Sequence, residues 1–139
     1  MLDKRTGKIK FTTDFQQPFF TAPVVHQNHL FICGSGGKLL AFDLQSKTLL
    51  WTKELEGAAM VPPLILKAKI IIGTSRRQLY IMDKKDGAIL QQLELDGRLS
   101  AVPLPYDQGL IVGYEYKKMK YIARFLRNND KTQQKTTSN

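Results

Sequence analysis

Apolar residues fall along this chain in short runs of strand length, each closed by turn residues. Pro63 to Leu66, Lys69 to Thr74, Gln78 to Asp83 and Ala88 to Leu95 are successive examples. Runs of this length between turn signals predict β-strands, not helices. The breaks carry turn chemistry. His26-Gln27-Asn28 and Asp107-Gln108-Gly109 separate first and second strands, Ser35-Gly36-Gly37 second and third, and Arg5-Thr6-Gly7 and Lys85-Asp86-Gly87 third and fourth. Glycine in such turns supplies the positive φ that a tight hairpin requires.

The pattern is periodic. Rows of forty residues place Asp3, Asp43 and Asp83 in one column and Pro23, Pro63 and Pro103 in another, without a gap. The same rows align Ile9, Leu49 and Ile89; Phe15, Leu55 and Leu95; and Leu39, Leu79 and Met119. Four antiparallel strands repeated at this interval are a blade of a β-propeller, so the expected fold class is all-β.

The most complete row contains Ala22-Pro23-Val24-Val25, the strand Leu30-Phe31-Ile32-Cys33-Gly34, and then Leu39-Leu40-Ala41-Phe42-Asp43 running through Lys47 to Trp51. This resembles the pyrroloquinoline-quinone-type (PQQ-like) propeller repeat. A WD40 blade would show Gly-His early and Trp-Asp late, and neither dipeptide occurs. Neighbouring rows repeat the pattern in weaker form, from Asp3 through Gly7 to Phe11 and from Asp83 through Gly87 to Gln91. The resemblance implies that Trp51 docks on the next blade with its indole N–H bonded, and that Asp43 ties its turn by accepting hydrogen bonds. Ala41, Asp43, Trp51, Asp3, Gly7, Phe11, Asp83 and Gly87 are thereby expected to be blade-docking residues. Phe11 supplies a ring without the N–H, and Gln91 departs from the pattern.

At 139 residues the chain holds about three and a half such units, whereas closed propellers have about four to eight blades. The expected segments are the last strand of a preceding blade over 1–17, blades over 18–57 and 58–97, an incomplete blade over 98–127, and a disordered basic and polar tail over 128–139. The ring is incomplete in this chain, which leaves three ways to cover its edges. A longer chain supplies the missing blades, another protein does, or a homodimer completes a six-bladed ring.

Composition adds exclusions. No apolar run reaches the roughly 18 residues of a membrane-spanning helix. The opening Met-Leu-Asp-Lys-Arg-Thr-Gly lacks the apolar stretch of a signal peptide, so periplasmic or cell-envelope placement requires an export signal upstream. Cys33 is the only cysteine, which excludes an intramolecular disulfide and a cysteine-based zinc site, and it is expected in the core. His26 and His29 flank one hairpin turn without an evident third ligand.

The net charge is +9 with a pI near 9.7, and Tyr114 to Asn139 carry a local +5. Tyrosines 114, 116 and 121 interleave with these cations, but the period of two in a hairpin accounts for them, so nucleic acid is not an expected partner. No cluster of acidic residues suits calcium, and the carboxylates sit in repeat columns. The expectation is a non-catalytic scaffold for protein–protein interaction without a cofactor, similar to outer-membrane assembly lipoprotein propellers. The alternative is the C-terminal part of a PQQ-dependent quinoprotein oxidoreductase. Partner contacts are expected on loops, at Arg76, Arg77, Tyr114, Tyr116, Lys117 and Lys118.

Overall fold

Strands β1 (Val24–His26), β2 (His29–Cys33), β3 (Lys38–Asp43) and β4 (Thr48–Glu54) pair in chain order as one antiparallel sheet. One row later, β5 (Leu64–Leu66), β6 (Lys69–Gly73), β7 (Gln78–Asp83) and β8 (Ile89–Glu94) repeat it. The third sheet runs β10 (Leu104–Tyr106), β11 (Gly109–Tyr116), β12 (Met119–Phe125) and β13 (Thr136–Thr137), with β9 (Arg98–Leu99) beside β11. The structure, a computed structural model, describes residues 1–107, 109–116, 119–125 and 136–137. Its sheets are open, and together they form part of a β-propeller.

The register repeats as closely as the sequence does. Phe19 bridges Gly34, Ala59 bridges Thr74, and Leu99 pairs with Tyr114, each pair one row beyond the last. Both complete blades carry the same irregularity. Ala41 pairs with Trp51 and Phe42 with Leu49, which leaves Leu50 as the extra residue of a β-bulge. Ile81 with Gln91 and Met82 with Ile89 extrude Leu90 in the same way. Bulges bend an outer strand and spoil it as a template for further pairing.

Strand alternation sends successive residues of one run into two different cores. From the first blade, Phe31, Cys33, Leu39 and Ala41 pack with Ile70, Ile72, Tyr80 and Met82 of the second. Ile71 and Leu79 leave the opposite face of the second blade and meet Leu110, Val112 and Tyr114 of the third. Stretches buried on both faces are apolar throughout, as in Ile70-Ile71-Ile72-Gly73 of β6.

Two expectations change at the ends. Over 1–17, where the last strand of a preceding blade is expected, no strand forms; Ile9 bridges Leu2. Strands are stabilised by cross-strand partners, and here, among the described residues, Leu2 is the one that bridges the segment. The segment instead lays Phe11, Phe15 and Phe19 over Ile32, Leu40 and Phe42, the outward face of the first blade. At the other end, where a tail without order is expected, Thr136–Thr137 pairs with β12, Tyr121 opposite Thr137 and Ile122 opposite Thr136. An edge strand offers unpaired N–H and C=O groups, and this segment takes them.

Candidate functional site

Named in every row after the strands of the first blade, the β3–β4 turns are built the same way throughout. Asp3 Oδ1 accepts from the backbone N–H groups of Arg5 and Thr6, each at 2.9 Å. Asp43 Oδ1 accepts from Gln45 at 2.8 Å and Ser46 at 2.7 Å, and Asp83 Oδ1 from Lys85 at 2.7 Å. These are Asx-type turns. The bond from Thr6 N–H, then the Lys10 ammonium, holds Asp3 below the usual carboxylate range. For Asp43 the leading cause is the Ser46 N–H. The turns close through a left-handed residue, with φ of 68° at Gly7, 59° at Lys47 and 73° at Gly87.

Trp51 reaches from the first blade to the turn of the second. Its Nε1–H donates to the Lys84 carbonyl at 3.2 Å, and its ring packs against the seam core, with the Phe31 centroid 6.3 Å away. A Cβ added at Gly87 would lie 2.7 Å from Trp51 Cε3, so the indole occupies the space a side chain would need. Lys84 adds a second link, its Nζ lying 3.2 Å from His26 Nδ1. Ala41, opposite Trp51 in the sheet, is fully buried in the same core.

Phe11 and Lys47 stand one row before Trp51 and Gly87. The Phe11 ring stacks on Phe42 at 6.0 Å, and Lys47 Nζ lies 5.7 Å from the Phe11 centroid. This cation–π pair, the His26–Lys84 contact and the cover formed by Phe15 and Phe19 are absent from the sequence reading. The first was accessible there, because position 11 relates to 47 as 51 relates to 87.

The remaining sequence-based sites disperse. His29 Nε2 turns to Asp43 Oδ2 at 3.5 Å, while His26 faces Lys84, so the two imidazoles serve different blades. Cys33 is buried in the first seam, and burial pushes its thiol up to about 11. Arg76 is exposed, and Arg77 adopts φ 63° in the turn and binds Glu94 at 2.9 Å. Tyr114 is not a rim residue: it is 2% exposed in the second seam, and its hydroxyl lies 3.5 Å from Asp96 Oδ2. The reason is that a β11 residue alternates inward at this position, beside Val112. Lys117 and Lys118 lie outside the described residues, and Tyr116 is described as part of β11 only.

Residues 1–102 match the PQQ-like family model whose description is outer membrane protein assembly factor BamB. The chain belongs to this family. No curated protein matches it. Among solved structures, BamB from Moraxella catarrhalis is similar over 86% of this chain and 38% of its own, with a TM-score of 0.74 and 22% identity. A europium-containing methanol dehydrogenase is similar over 87% of this chain and 25% of its own, with a TM-score of 0.74 and 14% identity. The quinohemoprotein alcohol dehydrogenase of Comamonas testosteroni is similar over 78% and 19%, with a TM-score of 0.65 and 16% identity. These likenesses are of fold. The chain spans well under half the length of each of these proteins.

The Trp51–Lys84 and His26–Lys84 contacts cross from the first blade to the second, whereas the aspartate hydrogen bonds stay within their own turns. Among the described residues no three His, Cys, Asp or Glu side chains group as a metal site, and no helix is long and apolar enough to cross a membrane.

Proposed function

We propose that this chain is a non-catalytic segment of a BamB-type propeller that holds other proteins through its loops and blade edges. One observation carries the reading. The repeat carboxylates Asp3, Asp43 and Asp83 accept hydrogen bonds from their own turns, which uses them as fasteners and not as bases or calcium ligands. The family description, an assembly factor of the outer membrane, supports a protein partner and a cell-envelope location. In this reading Trp51 with Gly87, and Phe11 with Lys47, dock successive units, while Arg76 and Arg77 stand on a loop available to partners. The missing blades come from a longer chain, from a partner, or from a second copy that closes a ring.

The single Trp51 makes the test direct. Titration with pyrroloquinoline quinone and calcium, followed by indole emission, is expected to produce no saturable change. A saturable, calcium-dependent change would overturn the scaffold reading in favour of a quinoprotein oxidoreductase. A photo-crosslinking residue in place of Arg76 is expected to yield polypeptide adducts in cells. Light scattering decides the self-association variant, for which the expected mass is about twice 15.8 kDa.

A further inference from the structure

Charge among the described residues differs between the two ends of the blades. In an antiparallel meander alternate turns lie at the same end, so the β1–β2 and β3–β4 turns of every blade share one end. His26 of a β1–β2 turn meeting Lys84 of the next blade's β3–β4 turn shows that these ends align between blades. Lys4, Arg5 and Lys8 in the first β3–β4 turn, Lys67 in the β5–β6 turn and Lys85 in the β7–β8 turn are all exposed there. None of the ion pairs among the described residues uses them. Of the carboxylates at this end, Asp3, Asp43, Asp83 and Asp86 accept from backbone N–H groups, Asp3 also pairs with Lys10, and Asp107 stands in the β10–β11 turn, so the cations outnumber them. At the opposite end, among the described residues, Lys38 pairs with Glu54 and Arg77 with Glu94, and Arg76 is exposed beside them.

The cationic end is also rimmed by aliphatic side chains. Ile9, Leu49 and Ile89 directly follow the β3–β4 turns and are 68%, 53% and 39% exposed. The bulge residues Leu50 and Leu90 beside them are 44% and 53% exposed. We infer that this turn end is a docking surface for an anionic membrane surface, with the lysines and Arg5 at the headgroups and the bulge leucines in the interface. The array is spread over successive rigid turns, and charge complementarity with a broad negative plane matches it. Basic residues near an anionic leaflet attract it individually, and exposed aliphatics add shallow burial. A single-stranded nucleic acid site would instead call for a row of aromatic stacking platforms among the cations, whereas the exposed rim chains here are mostly Leu and Ile, with Tyr106 the exposed ring at this end among the described residues. The inference stands apart from the scaffold reading, whose proposed contact loop with Arg76 and Arg77 lies at the other end.

The test is flotation of the full chain with phosphatidylcholine vesicles, alone and with phosphatidylglycerol, at about 0.1 M and about 1 M salt, where screening lengths are about 10 and about 3 Å. Binding is expected only with the anionic lipid and at the lower salt. Lys67→Asn with Lys85→Gln should weaken it roughly thirtyfold, from about a kilocalorie per basic residue. Asparagine suits the positive φ of 37° at Lys67. Lys38→Gln with Arg98→Gln removes the same charge from the opposite end and should leave partitioning within about twofold of the parent. Leu50→Ser with Leu90→Ser should weaken binding without changing its salt dependence. Trp51 emission checks that each variant is folded. The inference is overturned by absent vesicle binding, by equal binding to neutral vesicles, or by equal losses from both charge pairs. Tighter capture by polyglutamate or single-stranded DNA than by the vesicles would also overturn it and assign the surface to that polymer.

Discussion

Trp51 and Phe11 occupy the same column of the repeat, yet each meets a different partner at the neighbouring turn. The indole lies against Gly87, whose missing side chain leaves the room it needs. The smaller phenyl ring lies beside Lys47, which holds φ 59° although it has a side chain. A left-handed residue other than glycine costs about 1–2 kcal/mol, and an exposed cation–π pair returns about 0.5–1 kcal/mol. One seam therefore gains by volume and a bonded indole N–H, the other by a contact that offsets local strain. The surroundings differ in step: Trp51 joins two blades, whereas Phe11 belongs to a strandless segment covering one blade face.

The sharpest contrast should come from truncating the cores beside these rings. Phe31 is fully buried in the Trp51 seam, so Phe31→Ala is expected to cost about 3–5 kcal/mol in denaturant unfolding. Phe15→Ala in the half-covered aromatic cap should cost clearly less, about 1–3 kcal/mol, because the side chain is already partly in water. Equal losses would break the comparison and make the cap a seam like the other. Cys33 gives an independent readout: its buried thiol should react with a thiol reagent only as the seam opens, faster in Phe31→Ala than in Phe15→Ala.

Gly87→Ala tests the steric half of the argument. It places a methyl group against the Trp51 ring at φ 73°, and a loss of about 1–3 kcal/mol is expected. Combining it with Trp51→Phe should recover part of that loss, a coupling of about 0.5–2 kcal/mol in a double-mutant cycle. The reciprocal exchange, Phe11→Trp, should be tolerated better with Lys47→Gly than alone. Additivity in both cycles would mean that the ring and the turn position are independent.

The smallest effect is expected from the turns themselves. Asp3 and Asp43 have folded pKa values below their ordinary ones, led by the N–H groups of Thr6 and Ser46. Their contribution is therefore present above the ordinary carboxylate range and is lost as pH falls through the lowered folded values. Thermal unfolding followed from about pH 6 to about pH 2 should show this decline, with a shallower slope in Asp43→Asn.

Much of this was legible from the residue columns. Asp43 and Trp51 identified the repeat, and the strand runs of the second row agree with β5 to β8 to within a residue or two at each end. Tyr114 shows where local pattern misleads: beside lysines it read as a rim residue, and in the fold it is core. The sequence alone determined the period, the strand class and the turn chemistry, because each depends on residues close together in the chain. Only the tertiary structure decided that Phe11, Phe15 and Phe19 form a cover instead of a strand, and that the turn cations align at one end. Those outcomes depend on which partners lie across a seam, and a strand without a neighbour has no ladder to join.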